Sequence, residues 1–251
     1  MNTKDPIPQK KVAFLAHKGG VGKTAICMGI ADRLAKMEED VLLIDWDHER
    51  NLTKIIPGAN KATHGITDLL RDVEIDTFTV NDHIELIAGS SDANSSIYDT
   101  LAQDQALLKL ESITRHILVD LNHSCEYSIM QAKYLCGVFV VVLSDDSTSF
   151  DGAIELAKDL DHWNTRYAKK PENQIRYSFV HNRYNECQDA RDIDEALKIS
   201  HPTTKIFKID DRKIVERARN AKKFVSEMKS GHDKGRILEQ YSDITNWILN
   251  G

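Results

Sequence analysis

The chain has 251 residues, a net charge of −6, 41% hydrophobic and 29% charged residues, which is enough apolar material for one sizeable core and a single expected domain over 1–251. Met1 to Gln9 carries no apolar signal-type segment, and the longest apolar run, Cys136 to Leu143, is far too short to span a bilayer. Cys27, Cys125, Cys136 and Cys187 include no Cys-x-x-Cys pair, which argues against a disulfide framework or zinc site and for reduced thiols in a cytoplasmic protein.

Lys11-Val-Ala-Phe-Leu-Ala16 reads as a buried strand, and Ile26, Ile30, Leu34 and Met37 recur at the spacing of one helical face. Between them lies His17-Lys-Gly-Gly-Val-Gly-Lys-Thr24, in the strand-to-helix setting that a phosphate-binding loop needs. Gly19, Gly20 and Gly22 let the backbone turn tightly around Val21 and point N–H groups inward, and the helix N-terminus adds partial positive charge. Lys23 is then placed for the β- and γ-phosphates and Thr24 for Mg²⁺. Two features are unusual. The strict Gly-x4-Gly-Lys pattern has glycine where this chain has His17, and a second lysine, Lys18, stands five residues ahead of Lys23. One lysine already serves the phosphates from within the loop, so a second could serve another subunit's nucleotide.

Further strand-like runs at 41–46, 84–88, 115–121, 137–144, 175–181 and 204–209 alternate with helical patterns. That alternation predicts an α/β fold with a doubly wound, mostly parallel sheet and helices on both faces. Ligands of such sheets bind at the carboxyl ends of the strands. Val41-Leu-Leu-Ile-Asp-Trp-Asp47 delivers two acids there, and residues two apart share a face. One of Asp45 and Asp47 is suited to hold Mg²⁺ through water and the other to orient an attacking water. Arg115-His-Ile-Leu-Val-Asp120 ends in a further acid suited to lie near the metal. His123, Ser124 and Cys125 follow without a glycine elbow or metal-ligand spacing and read as loop and helix-start residues. Lys169-Lys-Pro171 reads as a surface turn.

Tyr177-Ser-Phe-Val-His-Asn182 ends in an amide that can donate and accept. Residues 205–236 hold eleven Lys/Arg against five Asp/Glu, a local excess of six that leaves about −12 on the rest of the chain. Arg212, Lys213, Arg217, Arg219, Lys222 and Lys223 have spacings that gather on neighbouring helical faces. Such a patch is either a solvated basic face or a surface for phosphate backbones, the latter steeply salt-dependent and blind to base sequence. Ile237, Leu238, Tyr241, Ile244, Trp247 and Ile248 form a last helical stripe, with no Lys or Arg after Arg236. A helix lying on an anionic membrane wants those cations, so this one is expected to pack on the domain.

Lys18-Gly-Gly-Val-Gly-Lys-Thr24 resembles the deviant Walker loop of the ParA/MinD superfamily of ATPases, P-loop NTPases in which the early lysine crosses a nucleotide-sandwich dimer to the partner's phosphates. The resemblance implies that role for Lys18, although Ala25 replaces a frequent second threonine. Asp45-x-Asp47-His-Glu-Arg-Asn51 is similar to the ParA stretch Asp-x-Asp-Pro-Gln-Gly-Asn, with His48, Glu49 and Arg50 in place of proline, glutamine and glycine. By this likeness Asp45 is a Mg²⁺ and switch residue, Asp47 positions the hydrolytic water, and Asp120 is the Walker B carboxylate, followed atypically by Leu121, Asn122 and His123. It also implies adenine recognition by Asn182 and closure of residues 210–225 over the base, without the usual proline near 210.

The family pattern implied is a short ParA-type ATPase for plasmid or chromosome partition, without an N-terminal helix-turn-helix domain. ATP and Mg²⁺ would close a homodimer on nonspecific DNA, a centromere-binding ParB-like adaptor would stimulate hydrolysis, and the protein would be cytoplasmic and nucleoid-associated. A MinD-like membrane-associated positioning ATPase and a VirC-like conjugative DNA-transfer ATPase are alternatives within the superfamily. Iron–sulfur scaffolds share the loop but need cysteines arranged for a cluster. A synthetase similar to dethiobiotin synthetase would need a small-molecule pocket that no motif signals, and Asn51 favours ParA.

Overall fold

A computed structural model describes residues 8–92, 100–121, 126–168, 170 and 173–250. Met1 to Ile7, Asn122 to Cys125, Lys169 and Pro171 lie outside the described residues, so the expectations for the Asn122-His123-Ser124-Cys125 loop and the 169–171 turn have no structural counterpart.

The strands are β1 (Lys11–Leu15), β2 (Val41–Trp46), β3 (Phe78–Asn81), β4 (Ile84–Ile87), β5 (His116–Leu121), β6 (Val138–Leu143), β7 (Arg176–Tyr184) and β8 (Lys205–Asp210). They form one sheet in the order β3-β4-β2-β5-β1-β6-β7-β8, parallel except for β3 against β4. All seven expected runs are present. The added strand, β3, is a four-residue edge whose residues are alternately half-buried and exposed. It turns into β4 where Asn81 Oδ1 accepts from the N–H groups of His83 (3.0 Å) and Ile84 (2.9 Å), a side-chain turn that needs no glycine.

Successive residues of a strand face opposite sides, and here both sides are buried. Val12, Phe14, Val41, Leu43 and Leu118 point into one apolar layer, while Ala13, Leu15, Leu42, Ile44 and Val119 point into the other. Continuous apolar strands of this kind follow from helices covering both faces. On the first face α1 (Lys23–Ala35) packs with α9 (His232–Asn250). Ile237, Tyr241, Ile244 and Ile248 of α9 are buried there, and Leu238 and Trp247 pack against them, each fully buried aliphatic chain contributing roughly 1.5–3 kcal/mol. The terminal stripe is therefore core, and no helix among the described residues is long and apolar enough to cross a membrane.

The second face carries α3 (Ile66–Leu70), α4 (Thr100–Glu111), α5 (Glu126–Leu135), α6 (Ser147–Arg166) and α7 (Gln188–Ser200). Two more helices, α2 (Asn51–Ile55) and α8 (Lys213–Asn220), follow β2 and β8. One expected core residue falls outside this arrangement: Met37 is 37% exposed, because α1 ends at Ala35 and the chain turns through Glu38 at a left-handed φ of 66°.

Candidate active site

The glycine loop links β1 to α1, and its shape explains its composition. Gly20 and Gly22 take φ values of 81° and 97°, a region that penalises any Cβ. At Gly22 a Cβ would also lie 2.1 Å from Nδ2 of Asn182, which donates to the Val21 carbonyl at 2.6 Å. Asn182 thus reaches the site, but with its NH₂ turned to the loop backbone. His17 has a counterpart too. Its ring sits where a Cβ on Gly152 of α6 would approach Cγ to 2.1 Å, so the missing loop glycine is matched by a glycine on the neighbouring helix.

Behind the loop, strand register brings the acids together. Asp45 of β2 is the direct neighbour of Asp120 of β5. Lys23 Nζ donates to Asp120 Oδ1 at 2.5 Å and lies 4.0 Å from Asp47 Oδ2, and Thr24 Oγ1 donates to Asp120 Oδ2 at 2.7 Å. Burial alone would pull the Lys23 pKa down, but the charge and hydrogen bond of Asp120, helped by Asp47, outweigh it and raise it. Lys23 stays a cation because its counter-ions are buried with it.

Asp45 is fully buried. Its Oδ2 accepts from Thr53 N (2.8 Å) and Thr53 Oγ1 (2.6 Å), and Thr53 Oγ1 accepts in turn from Gly89 N (2.8 Å). Its Oδ1 has no hydrogen-bond partner among the described residues. Desolvation, then the nearby charge of Asp120, pushes the Asp45 carboxyl up to about 7. Asp47 Oδ1 accepts from Glu49 N at 2.9 Å and lies 3.4 Å from His48 Nδ1. Arg50, where the similar motif has glycine, holds φ 56° and ψ 38° at the start of α2. The left-handed turn is thus kept without the residue that adopts it freely.

The oxygens of Thr24, Asp45 and Asp120 are hard donors, and the unpartnered Oδ1 of Asp45 belongs to a residue paired directly with Asp120, a concentration of negative charge that suits a divalent cation. Mg²⁺ uses one or two protein carboxylates with phosphates and water rather than a full protein cage, and this donor set fits it.

Lys18 is half-exposed and rests on its own chain, Nζ to Asp146 Oδ1 at 3.1 Å. Asp146 also caps α6, accepting from Ser149 N (2.9 Å), and accepts from Ser144 Oγ (2.8 Å). Burial would raise its carboxyl, but the Ser144 and Ser149 bonds, with Lys18, hold it below the usual range.

A cavity of about 940 Å³ runs from the loop to the segment after β8, lined among others by Lys18 to Ala25, Asp47, Asn51, Asn182 and residues 210–213. Of the six basic residues singled out in sequence, Arg212, Lys213, Arg219 and Lys222 line this cavity, and Arg217 and Lys223 do not. Arg212 is tied to Asp210 at 3.0 Å and lies 3.8 Å from Asp233, and Arg236 also pairs with Asp210. Lys213, Arg217, Arg219, Lys222 and Lys223 form no ion pair among the described residues. Cys27 and Cys136 are buried and Cys187 exposed, all unbridged. Burial pushes the Cys27 and Cys136 thiols up, away from nucleophile or metal chemistry.

Sequence reasoning passed over Thr53, Gly89 and Asp146. Asp146-Ser-Thr-Ser149 carries the N-cap signature of a helix start, a signal that could have found the third. Nothing in sequence links Gly89 to Asp45, because the contact exists only through the pairing of β2 with β4.

A family profile described as an AAA domain matches residues 9–170. Over 63 residues the chain is 36% identical to the virulence plasmid ParA family protein pGP5-D of Chlamydia psittaci, a stretch that covers 25% of this chain and 24% of that protein. The fold is similar to that of a plasmid partition protein from Borrelia burgdorferi B31 bound to AMPPNP, with TM-score 0.75 and 19% identity over 94% of this chain and 98% of that one. It is similar also to an ATP complex of a Cyanothece McdA variant (TM-score 0.79, 16% identity, 98% of both chains) and to the MinC:MinD complex of Aquifex aeolicus (TM-score 0.73, 20% identity, 94% and 96%). With the profile covering well over half of its residues, the chain belongs to the AAA-domain family, as a ParA/MinD-type deviant Walker ATPase.

Proposed function

We propose that this protein hydrolyses ATP and cycles between a monomer and an ATP-closed homodimer that holds nonspecific DNA, as a partition ATPase of the short ParA type. The observation that carries the reading is Lys18. Lys23 is turned inward to Asp120 and would meet the phosphates from within the loop, whereas Lys18 is half-exposed and pairs with Asp146.

Entering phosphates would draw Lys23 and the loop N–H groups onto their oxygens and relieve Asp120 of Lys23 and Thr24. Asp47, its Oδ1 fixed by Glu49 N–H, would orient the attacking water. Thr24 and Asp120, with Asp45 through water, would hold Mg²⁺, which supplies charge neutralisation on the β- and γ-phosphate oxygens. Asp45 would report the state of the site outward, since Thr53 hangs from its Oδ2 and the Gly89 N–H hangs in turn from Thr53 Oγ1. Lys18 would leave Asp146 for the second subunit's nucleotide, which makes dimerisation part of the ATP site.

The unpaired cations of α8 and its C-terminal turn support the DNA part of the reading, Arg217 and Lys223 foremost because they lie outside the cavity lining. A ParB-like adaptor would act on this dimer, and the complex would be cytoplasmic and nucleoid-associated.

ATP turnover, dimerisation and DNA retention, measured for the wild type and Lys18→Ala with and without nonspecific DNA, test the reading. The variant is expected to bind ATP yet neither dimerise nor retain DNA. A Lys18→Ala protein that dimerises on ATP and binds DNA normally would remove the cross-subunit role. Liposome binding by the wild type without DNA binding would favour a MinD-like function instead.

A further inference from the structure

A second constellation of buried charge lies outside the cavity lining, where β6 and β7 end. His181 pairs in register with Leu143, the last residue of β6, and is fully buried. Its Nδ1 is hydrogen-bonded to Asp194 Oδ1 of α7 at 2.8 Å, and its Nε2 lies 2.5 Å from Asp145 Oδ1, in the turn between β6 and α6. Neither His181 Nε2 nor Asp145 Oδ1 has a hydrogen bond among the described residues, so these two atoms meet as charges. A neutral imidazole carries one N–H, and a carboxylate on each side of the ring calls for both.

The α7 side of the ring is held firmly. Asp194 is buried and also pairs with Lys208 of β8. Burial would raise its carboxyl, but the hydrogen bonds of His181 and Lys208 hold it below the usual range. Lys208 Nζ sits 4.0 Å from the centre of the Tyr184 ring, which meets the His181 ring edge-on at 5.2 Å. On the other side Asp145 directly precedes Asp146, the residue that holds Lys18. Two adjacent acids thus lie between two cations, with Lys18 on Asp146 and His181 on Asp145. With Asp145 neutralised, Lys18 leaves one carboxylate behind when it moves. Without that neutralisation it would leave two, and its departure would cost more.

We propose that His181, as an imidazolium between Asp145 and Asp194, is a positioning residue for dimer closure: it neutralises Asp145 and so sets how tightly Asp146 retains Lys18 before that lysine crosses to a second subunit's nucleotide. The proposal rests on the nucleotide-closed dimer proposed above.

The test is the dimer dissociation constant of the full chain at saturating AMPPNP, measured by sedimentation equilibrium, with the monomer's AMPPNP affinity and thermal melting alongside. His181→Gln is expected to weaken the dimer about fivefold and Asp145→Asn to tighten it by about the same factor, with the monomer's AMPPNP affinity unchanged in both. The double variant should return to within about twofold of the wild type, because each change removes the charge that the other left unanswered. Damage to the core alone would weaken the dimer in every variant and most in the double one, and that pattern would overturn the proposal. An unaltered dimer constant in His181→Gln would overturn it as well. Should His181→Gln fail to fold, the sign of the Asp145→Asn change decides, and anything but a tighter dimer refutes the proposal. A wild type that binds AMPPNP yet stays monomeric would instead sink the dimer reading itself, and this proposal with it.

Discussion

At the carboxyl ends of β1, β2 and β5, charged groups are buried and answer one another: Lys23 with Asp120 and Asp47, Asp45 with Thr53. At the ends of β7 and β8 only part of the charge is answered: Arg212 and Arg236 pair with Asp210, whereas Arg183, Lys213, Arg219 and Lys222 line the same cavity without ion-pair partners among the described residues. The first region is a preorganised constellation whose charges the fold itself compensates. In the second, these four cations are left without a counter-ion by the described residues, and two of them sit at a left-handed φ. Removal of a charge from the first region should therefore cost stability, and removal from the second should cost only ligand binding.

The largest effect expected is at Lys23. Lys23→Ala leaves Asp120 and Asp47 buried without their cation, a loss of roughly 3–5 kcal/mol in denaturant unfolding without nucleotide, along with loss of ATP binding in calorimetry. Lys213→Ala, by contrast, should stay within about 0.5 kcal/mol of the wild type. Equal stability of the two variants would break the comparison.

Asp45 sharpens it, because here the buried charge is only half answered. Its carboxyl is pushed up to about 7 in the folded protein against roughly 4 in an unfolded chain. Between those values the folded state binds the extra proton, so stability is greatest at the acid end and falls as pH rises from about 4 to about 7. Asp45→Asn keeps an acceptor for Thr53 and removes this loss. It should add roughly 2 kcal/mol at pH 8 without Mg²⁺ and much less at pH 5. A gain independent of pH would show that the Asp45 charge is not the cause.

Asp47→Ala is expected to leave ATP binding intact while slowing turnover by about a hundredfold or more. Unchanged turnover would remove Asp47 from the hydrolytic step. A smaller effect belongs to Arg50, at φ 56° on the loop that joins the two acids to α2. Arg50→Gly should raise stability by about 1 kcal/mol through relief of the left-handed backbone. A lower melting temperature would mean that packing of the Arg50 stem, whose Cγ lies 3.2 Å from where a Gly89 Cβ would sit, outweighs the strain.

Legibility followed locality. The phosphate loop was readable because its glycines, lysines and threonine are contiguous and flanked by a strand pattern and a helix pattern. Asp45, Asp47 and Asp120 were readable because each ends or follows an apolar strand. Met37 was misplaced because spacing shows where a helical face continues and not where the helix stops. The antiparallel β3 was missed because four half-exposed residues carry too weak a pattern to stand out. The basic stretch was legible as charge and illegible as surface. Composition could not tell that Arg212 and Arg236 close on Asp210, or that Lys213, Arg219 and Lys222 turn to the cavity.

The amino-acid order alone thus determined the alternation of strands and helices, the loop chemistry and the presence of a second lysine, since these depend on neighbours a few residues apart. Only the tertiary structure decided which groups meet. Sheet order set Asp45 beside Asp120, placed Asp146 under Lys18 across 128 residues of chain, matched His17 to Gly152, and slipped the β7–β8 register so that Arg183 faces the site. The physical reason is that strand pairing and register are fixed by the whole packed core rather than by local spacing, and a shift of one residue changes what every side chain beside it can touch.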